Sequence, residues 1–181
     1  MHAEPSPEPK RAVEDLLKQL GLNHFGFAKL ERPFSMSHYI QWIQDGCHAD
    51  MDYLVSHLEQ KEAPQLLLPL AESAIVVAAP YFSNDTQNLV PSPRTAHEDA
   101  GVAKTFEAAR ISMYAKGEDY HRWFKQELNN LCEALRKIYP NHKFLPFVDS
   151  SPVLERDLAY RAGMGWIGKN TCLIHPKKGS L

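Results

Sequence analysis

Asp149 ends a short apolar run, Lys143 to Asp149 (KFLPFVD), and begins the stretch with the most chemistry in it, VDSSPVLERDLAYRAGMGWIGKNTCLIH at 148–175. A run of that kind reads as a strand, and strand ends in α/β domains deliver side chains to a ligand crevice. Ser151 suits an N-cap and Pro152 a first turn, so the pattern predicts a helix to about Arg161, with Val153, Leu154, Leu158 and Ala162 on its apolar face. Gly163 closes it. A carboxylate just before a helix start is favoured in its ionised form by the helix dipole, whereas burial against an apolar ligand favours the protonated form. An Asp there also serves as an ordinary cap or turn residue.

Gly163, Gly165 and Gly168 fit G-x-G-x-x-G, and Gly163 to Lys169 fits G-x-x-x-x-G-K with Asn170 in place of Ser or Thr. Both phosphate-cradling motifs need a strand before and a helix after, so that the helix N-terminus faces the phosphates. Here a helix precedes and an apolar strand, Thr171 to Ile174, is expected to follow. A different role fits better: glycines that let backbone approach a bulky planar ligand, Trp166 as a wall and Lys169 as a charge. The plainer alternative is a tight connection with Trp166 in the core.

These residues must be positioned by the rest of the chain. Lys10 to Leu20 reads as an amphipathic helix closed by Gly21, His24 to Leu30 as a strand, and Ser37 as the cap of a helix carrying Tyr39, Ile40, Trp42 and Ile43 to near Gly46. Met51 to Leu58 gives another turn or two. His48 and His57 share no helical face and read as surface or capping residues. Ser73 to Phe82 is almost unbroken apolar sequence, which predicts a central strand covered on both faces. Residues 83–105 form a polar tract without periodicity, expected to be a flap. Ala109 to Ala115 reads as a strand, and Asp119 as the cap of the longest helix, through about Tyr139, with Trp123, Phe124, Leu128, Leu131, Leu135 and Ile138 inward. The whole predicts an α/β (α+β) fold, a mixed sheet with helices on both faces.

The chain of 181 residues has 20 Lys plus Arg against 22 Asp plus Glu, a formal charge of −2. No global field draws nucleic acid or an anionic membrane, so any such contact is local. No apolar run approaches a membrane span and no leader opens the chain, which predicts a cytoplasmic protein. Cys47, Cys132 and Cys172 are far apart without C-x-x-C, against structural disulfides or zinc.

The 148–174 stretch resembles the signature of tRNA epoxyqueuosine reductases, cobalamin-dependent iron–sulfur enzymes. DMDYL at 50–54, APQLLLPLAESAIVVAAPYF at 63–82 and ISMYAKGEDYHRW at 111–123 agree in order and spacing. The resemblance implies a nitroreductase-like, cobalamin-binding sandwich over residues 10–181, preceded by a disordered segment at 1–9. It implies Asp149 as the general acid, with Lys61, Ser112, Asp149, Leu154, Lys169 and Leu173 about the corrin. Lys61 and Lys116 stand where the family uses Arg, so charge is kept but the planar fork is lost.

The implied reaction reduces epoxyqueuosine to queuosine at the wobble position of tRNA. Family members continue past Gly179 and Ser180 into a ferredoxin-like segment with 4Fe–4S clusters and tRNA-binding repeats, so the chain reads as the N-terminal half, inactive alone, with tRNA met mainly through the other half and an exposed apolar face where the halves join. No metal site is expected within these residues. Two rivals remain: a non-catalytic cobalamin-binding module, and a flavin-dependent nitroreductase-like oxidoreductase.

Overall fold

A computed structural model describes residues 7–79, 119–149 and 151–180. The order is α1 (Pro7–Gln19), β1 (His24–Lys29), α2 (Met36–Gln44), α3 (Asp52–Ser56), α4 (Leu58–Glu62), a 3-10 turn at Pro64–Leu66, β2 (Ser73–Ala78), α5 (Tyr120–Ile138), α6 (Glu155–Arg161), β3 (Trp166–Ile167), β4 (Leu173–His175) and β5 (Gly179–Ser180). Helices and small sheets mix in an α+β arrangement.

The centre is an antiparallel β1–β2 ribbon in which Phe25 pairs with Val77, Gly26 with Val76 and Phe27 with Ile75. Because side chains alternate along a strand, these pairs point to opposite faces. Phe25, Phe27, Ile75 and Val77 pack on Val13, Leu17 and Leu22 at the α1 end and on Leu131 and Leu135 of α5. Val76 and Ala78 face the other way, onto Ala159, Met164 and Leu173 around α6 and β4. The two-sided coverage expected for the apolar strand is therefore met, but not its central position, since β2 pairs with β1 alone among the described residues. Gly26 is required on the second face, since a Cβ there would lie 2.6 Å from the Ala162 carbonyl oxygen.

Helices α1 and α6 end alike. Gly21 (φ 76°) donates its N–H to Lys18 O and Leu22 donates to Leu17 O; Gly163 (φ 73°) donates to Tyr160 O and Met164 to Ala159 O. Each is a Schellman closure, which needs a left-handed residue after the helix and brings the next apolar residue back onto the last turn. Leu22 meets Leu17 in one core, Met164 meets Ala159 in the other.

Several expectations are corrected. The described strands pair only antiparallel, β1 with β2 and β3–β4–β5 in a second small sheet, so no mixed pairing occurs among the described residues. Lys143–Asp149 forms no ladder among them; Pro146 has no N–H to give, and Phe144 turns into the α1–α5 core. Helix α6 starts at Glu155, not at a Ser151 cap, because Val153 N–H is spent on Ser151 O in a tight turn. Val153 and Leu154 thus precede the helix. Ser35, not Ser37, precedes α2, and Ile138 is 46% exposed instead of core. The expected strand at 109–115, the 83–105 tract, Ser112 and Lys116 lie outside the described residues. No described helix is long and apolar enough to cross a membrane.

Candidate active site

Asp119 caps α5 as its sequence position predicts, accepting the His121 backbone N–H at 3.0 Å. The same carboxylate meets the His121 ring, Oδ1 to Nδ1 at 2.7 Å. Because Nδ1 is held in this way, the other ring nitrogen is aimed outward, and Nε2 stands 3.2 Å from Asp149 Oδ2. Tyr120 donates its O–H to that same Oδ2. One helix start therefore supplies two side chains to a carboxylate almost thirty residues further along the chain, and a third, Asp119, that holds one of them.

Asp149 has φ 47°, left-handed, in a residue with a Cβ. Asp tolerates that region better than most residues, yet it persists only where surrounding contacts fix it. Tyr120 and His121 are those contacts. The side chain is 49% exposed, so Asp149 is half open to solvent among the described residues.

Hydrogen bonding to Asp119 raises the His121 pKa above the ordinary imidazole value, against a smaller loss from burial, with Asp149 adding to the rise. The Asp119 carboxyl is lowered, chiefly by the His121 ring and next by the His121 backbone N–H. The carboxyl held up near neutrality is Glu155, at the first position of α6. Burial and then the adjacent Asp149 charge raise it to about 7. Sequence reading missed Glu155. The available signal was an acid in the first turn after an Asp-terminated segment, where the chain must double back.

The glycine loop is built for chain, not ligand. A Cβ on Gly165 would lie 2.2 Å from the Ile174 carbonyl oxygen, so this glycine admits β4 backbone. Gly168 opens the β3–β4 hairpin, where Thr171 N–H donates to Gly168 O and Cys172 N–H to Asn170 Oδ1. The plainer reading of a tight connection holds in its geometry, but Trp166 is 49% exposed and belongs to no core. Arg156 fastens the hairpin to α6 by donating to Thr171 O.

The other predicted positions are dispersed. Leu154 is half-buried just before α6, Lys169 is exposed on the hairpin, and Leu173 has its side chain in the α6 core. Lys61 is buried along its stem with Nζ 5.4 Å from the Tyr39 ring centroid, and burial lowers its pKa. Among the described residues, no group of three or more His, Cys, Asp or Glu side chains could hold a metal ion.

The family model described as "Epoxyqueuosine reductase QueG, DUF1730" matches residues 61–150. An epoxyqueuosine reductase of Pseudomonas aeruginosa is 34% identical over 177 residues, covering 96% of this chain and 46% of that protein. One of Francisella cf. novicida is 33% identical, covering 100% and 48%, and one of Escherichia coli 31%, covering 90% and 40%. The chain spans about half the length of these relatives. A selenomethionine-labelled epoxyqueuosine reductase crystal structure superposes with a TM-score of 0.68 at 26% identity, over 96% of this chain and 43% of that one. An epoxyqueuosine reductase crystallised with an epoxyqueuosine-modified tRNA stem loop shares the fold, TM-score 0.67 at 23% identity.

Proposed function

The chain belongs to the epoxyqueuosine reductase family, and on that premise we propose that residues 10–181 form the cobalamin-carrying catalytic domain of such an oxidoreductase, with Asp149 as the acid that protonates the departing epoxide oxygen. The carrying observation is convergence: a left-handed Asp149 whose Oδ2 meets both Tyr120 and His121, both projected from one helix start. Asp119 fixes the imidazole, so the carboxylate is oriented by a short chain of hydrogen bonds and not by its own rotamer alone.

A corrin is a broad apolar ring fringed by amides and a phosphate-bearing tail, so its holder needs exposed apolar surface beside cationic donors. Trp166 and Ile167, 49% and 43% exposed on β3, supply the first, and Lys169 on the same hairpin supplies the second. The donor set fits the group. Lys61 would act as a point donor, Leu154 through its side chain, Leu173 through its backbone because its side chain is spent on the core, and Ser112 from outside the described residues. When bound, reduced cobalamin supplies the electrons.

This chain's own task is to hold the acid at the reacting oxygen and to exclude water. We place the finer architecture, a nitroreductase-like sandwich, with the same reading. The 4Fe–4S clusters and most of the tRNA contact are supplied, on this proposal, by the part of such proteins that the chain does not span. The tRNA-bound relative supports tRNA as the partner, and a cytoplasmic location follows from that substrate.

In full-length enzyme reconstituted with cobalamin, Asp149→Asn should lower the reduction of epoxyqueuosine in tRNA by roughly 100- to 10,000-fold. The cobalt absorbance of the bound corrin should persist. Unchanged turnover in the variant, or retention of a flavin in place of the corrin, overturns the reading.

A further inference from the structure

Opening an epoxide to an alkene and water takes two electrons and two protons, and both protons end on one oxygen. A single carboxyl carries one of them. The other must come from a group in contact with that carboxyl, and Tyr120 and His121 both meet Asp149 Oδ2. Phenols hold their proton through neutral pH, whereas an imidazolium gives its proton up there.

We propose that His121 is the second proton store of the site, delivering its Nε2 proton through Asp149 within one turnover. This rests on the reading of Asp149 as the acid. His121 acts through Asp149 and touches no substrate, so it is a positioning residue. Both of its ring nitrogens face carboxyl oxygens, Nδ1 at 2.7 Å from Asp119 Oδ1 and Nε2 at 3.2 Å from Asp149 Oδ2. The Tyr120 hydroxyl sets Oδ2 as an acceptor, so Nε2 meets it as a donor. Only the imidazolium donates from both nitrogens at once. Asp119 keeps the Nδ1 proton in place, which makes the Nε2 proton the one free to move.

The surroundings favour the charged ring. Hydrogen bonding to Asp119 raises the His121 pKa, burial opposes it less, and Asp149 adds to the rise. Among the described residues the groups facing the imidazole are Asp119 and Tyr120 of its own helix start and Asp149 from the segment before α6; the Tyr120 ring stacks on it at 4.1 Å between centroids. Arg122 and Glu155 act one step removed, by their charges, on Asp119 and with Asp149.

Asp149 gives the first proton, carried on Oδ1, to the epoxide oxygen as the C–O bond breaks. The carboxylate left behind takes the Nε2 proton of His121 on Oδ2, and a half turn of the carboxyl group presents it to the same oxygen, which leaves as water. The two electrons come from the reduced corrin, itself reduced by a low-potential one-electron donor of the iron–sulfur class. Asp149 and His121 then recover one proton each from solvent, to which both are about half exposed. Two protons stored match two protons spent.

Wild type, His121→Gln, Asp119→Asn and Asp149→Asn are compared in full-length, cobalamin-loaded enzyme from about pH 5.5 to 8.5, the range in which imidazoles titrate. Gln keeps a hydrogen-bond donor toward Asp149 but carries no transferable proton. The expected result for His121→Gln is roughly a 100-fold loss of kcat with KM unchanged. Wild-type kcat should fall as pH rises through the His121 pKa. That fall should be absent in His121→Gln and displaced to lower pH in Asp119→Asn, where the ring loses the largest cause of its raised pKa.

A readout independent of turnover is ¹⁵N NMR of imidazole-labelled full-length protein, with the His121 signals identified by their loss in His121→Gln. Both nitrogens should be protonated at the acid end, and Nε2 alone should lose its proton as pH rises. A ring that is neutral throughout, or that loses the Nδ1 proton instead, overturns the proposal. So does a wild-type kcat and pH profile in His121→Gln, or a kcat profile that stays in place in Asp119→Asn. If Asp149→Asn is inactive and His121→Gln is not, the proton store alone falls. If Asp149→Asn turns over normally, the acid assignment falls and takes the store with it.

Discussion

Glu155 and Asp157 lie two residues apart in the first turn of α6 and meet opposite fates. Asp157, its side chain 4% exposed, accepts from Arg161 Nε at 2.7 Å and from the backbone N–H and hydroxyl of Ser35, both at 3.0 Å. Arg161 in turn donates to Lys29 O at 2.7 Å, at the end of β1. Glu155 is raised instead, first by burial and then by the charge of Asp149. The first acid is fully paired and ties α6 to β1 and to the start of α2. The second has no ion pair among the described contacts and a raised pKa beside Asp149. A single helical turn thus carries both a group that holds the fold and a group whose proton affinity is raised beside Asp149.

Breaking the paired side should cost most. In Asp157→Ala the Arg161 guanidinium keeps its burial and loses its close, buried counter-charge, retaining only the half-exposed Glu31 at 3.9 Å, while Arg161 Nη2 is already buried without a partner. Removing one member of such a pair is destabilising by about 3–5 kcal/mol, measured by urea or thermal unfolding. Because the penalty is an uncompensated charge and not lost packing, Asp157→Ala combined with Arg161→Met should recover much of it. A double variant as unstable as the single one removes the distinction between the two acids.

The Glu155 side is read by the pH dependence of stability. Its folded pKa of about 7 lies above the ordinary 4.5, so the folded chain binds this proton more tightly than the unfolded chain. The contribution is fully present below about 4.5 and is lost as pH rises through about 7. Allowing for partial solvent screening, the loss is on the order of 2 kcal/mol. Glu155→Gln cannot lose a proton, so its stability relative to wild type should increase between those two pH values and level off above. A constant difference between the two unfolding curves would mean that Glu155 holds no raised proton.

This asymmetry was half legible in the sequence. Asp149 and the Asp119 cap could be read because each sits where a pattern changes, at the end of an apolar run and at the start of a long amphipathic helix. The α1 and α5 helices, the β1 and β2 strands and the Gly21 and Gly163 closures follow from periodicity and from glycine at a left-handed position. The Asp157–Ser35 and Tyr120–Asp149 contacts could not be read, because each joins residues far apart in sequence through the packing of α6 and α5. Glu155 drew no reading, because an acid in a first helical turn is ordinary and the Asp149 charge comes beside it only in the fold. The glycine loop misled for a related reason: Gly165 answers the close approach of Ile174, and a local pattern does not reveal which backbone comes near.

The smallest change reaches both sides through the α5 start. Asp119→Ala removes the acceptor for the His121 N–H, worth about 1 kcal/mol at an N-cap. Stability should fall by that amount, and the His121 pKa should fall with it, since hydrogen bonding to Asp119 is the largest cause of its rise. The imidazole C–H resonances of His121 across a pH titration check the second effect separately. Asn at position 119 keeps an acceptor for the backbone and removes the charge, so Asp119→Asn should restore the cap and leave the His121 pKa low. If both variants leave the imidazole titrating as in wild type, Asp119 is a helix cap alone, and the orientation of Nε2 toward Asp149 has another source.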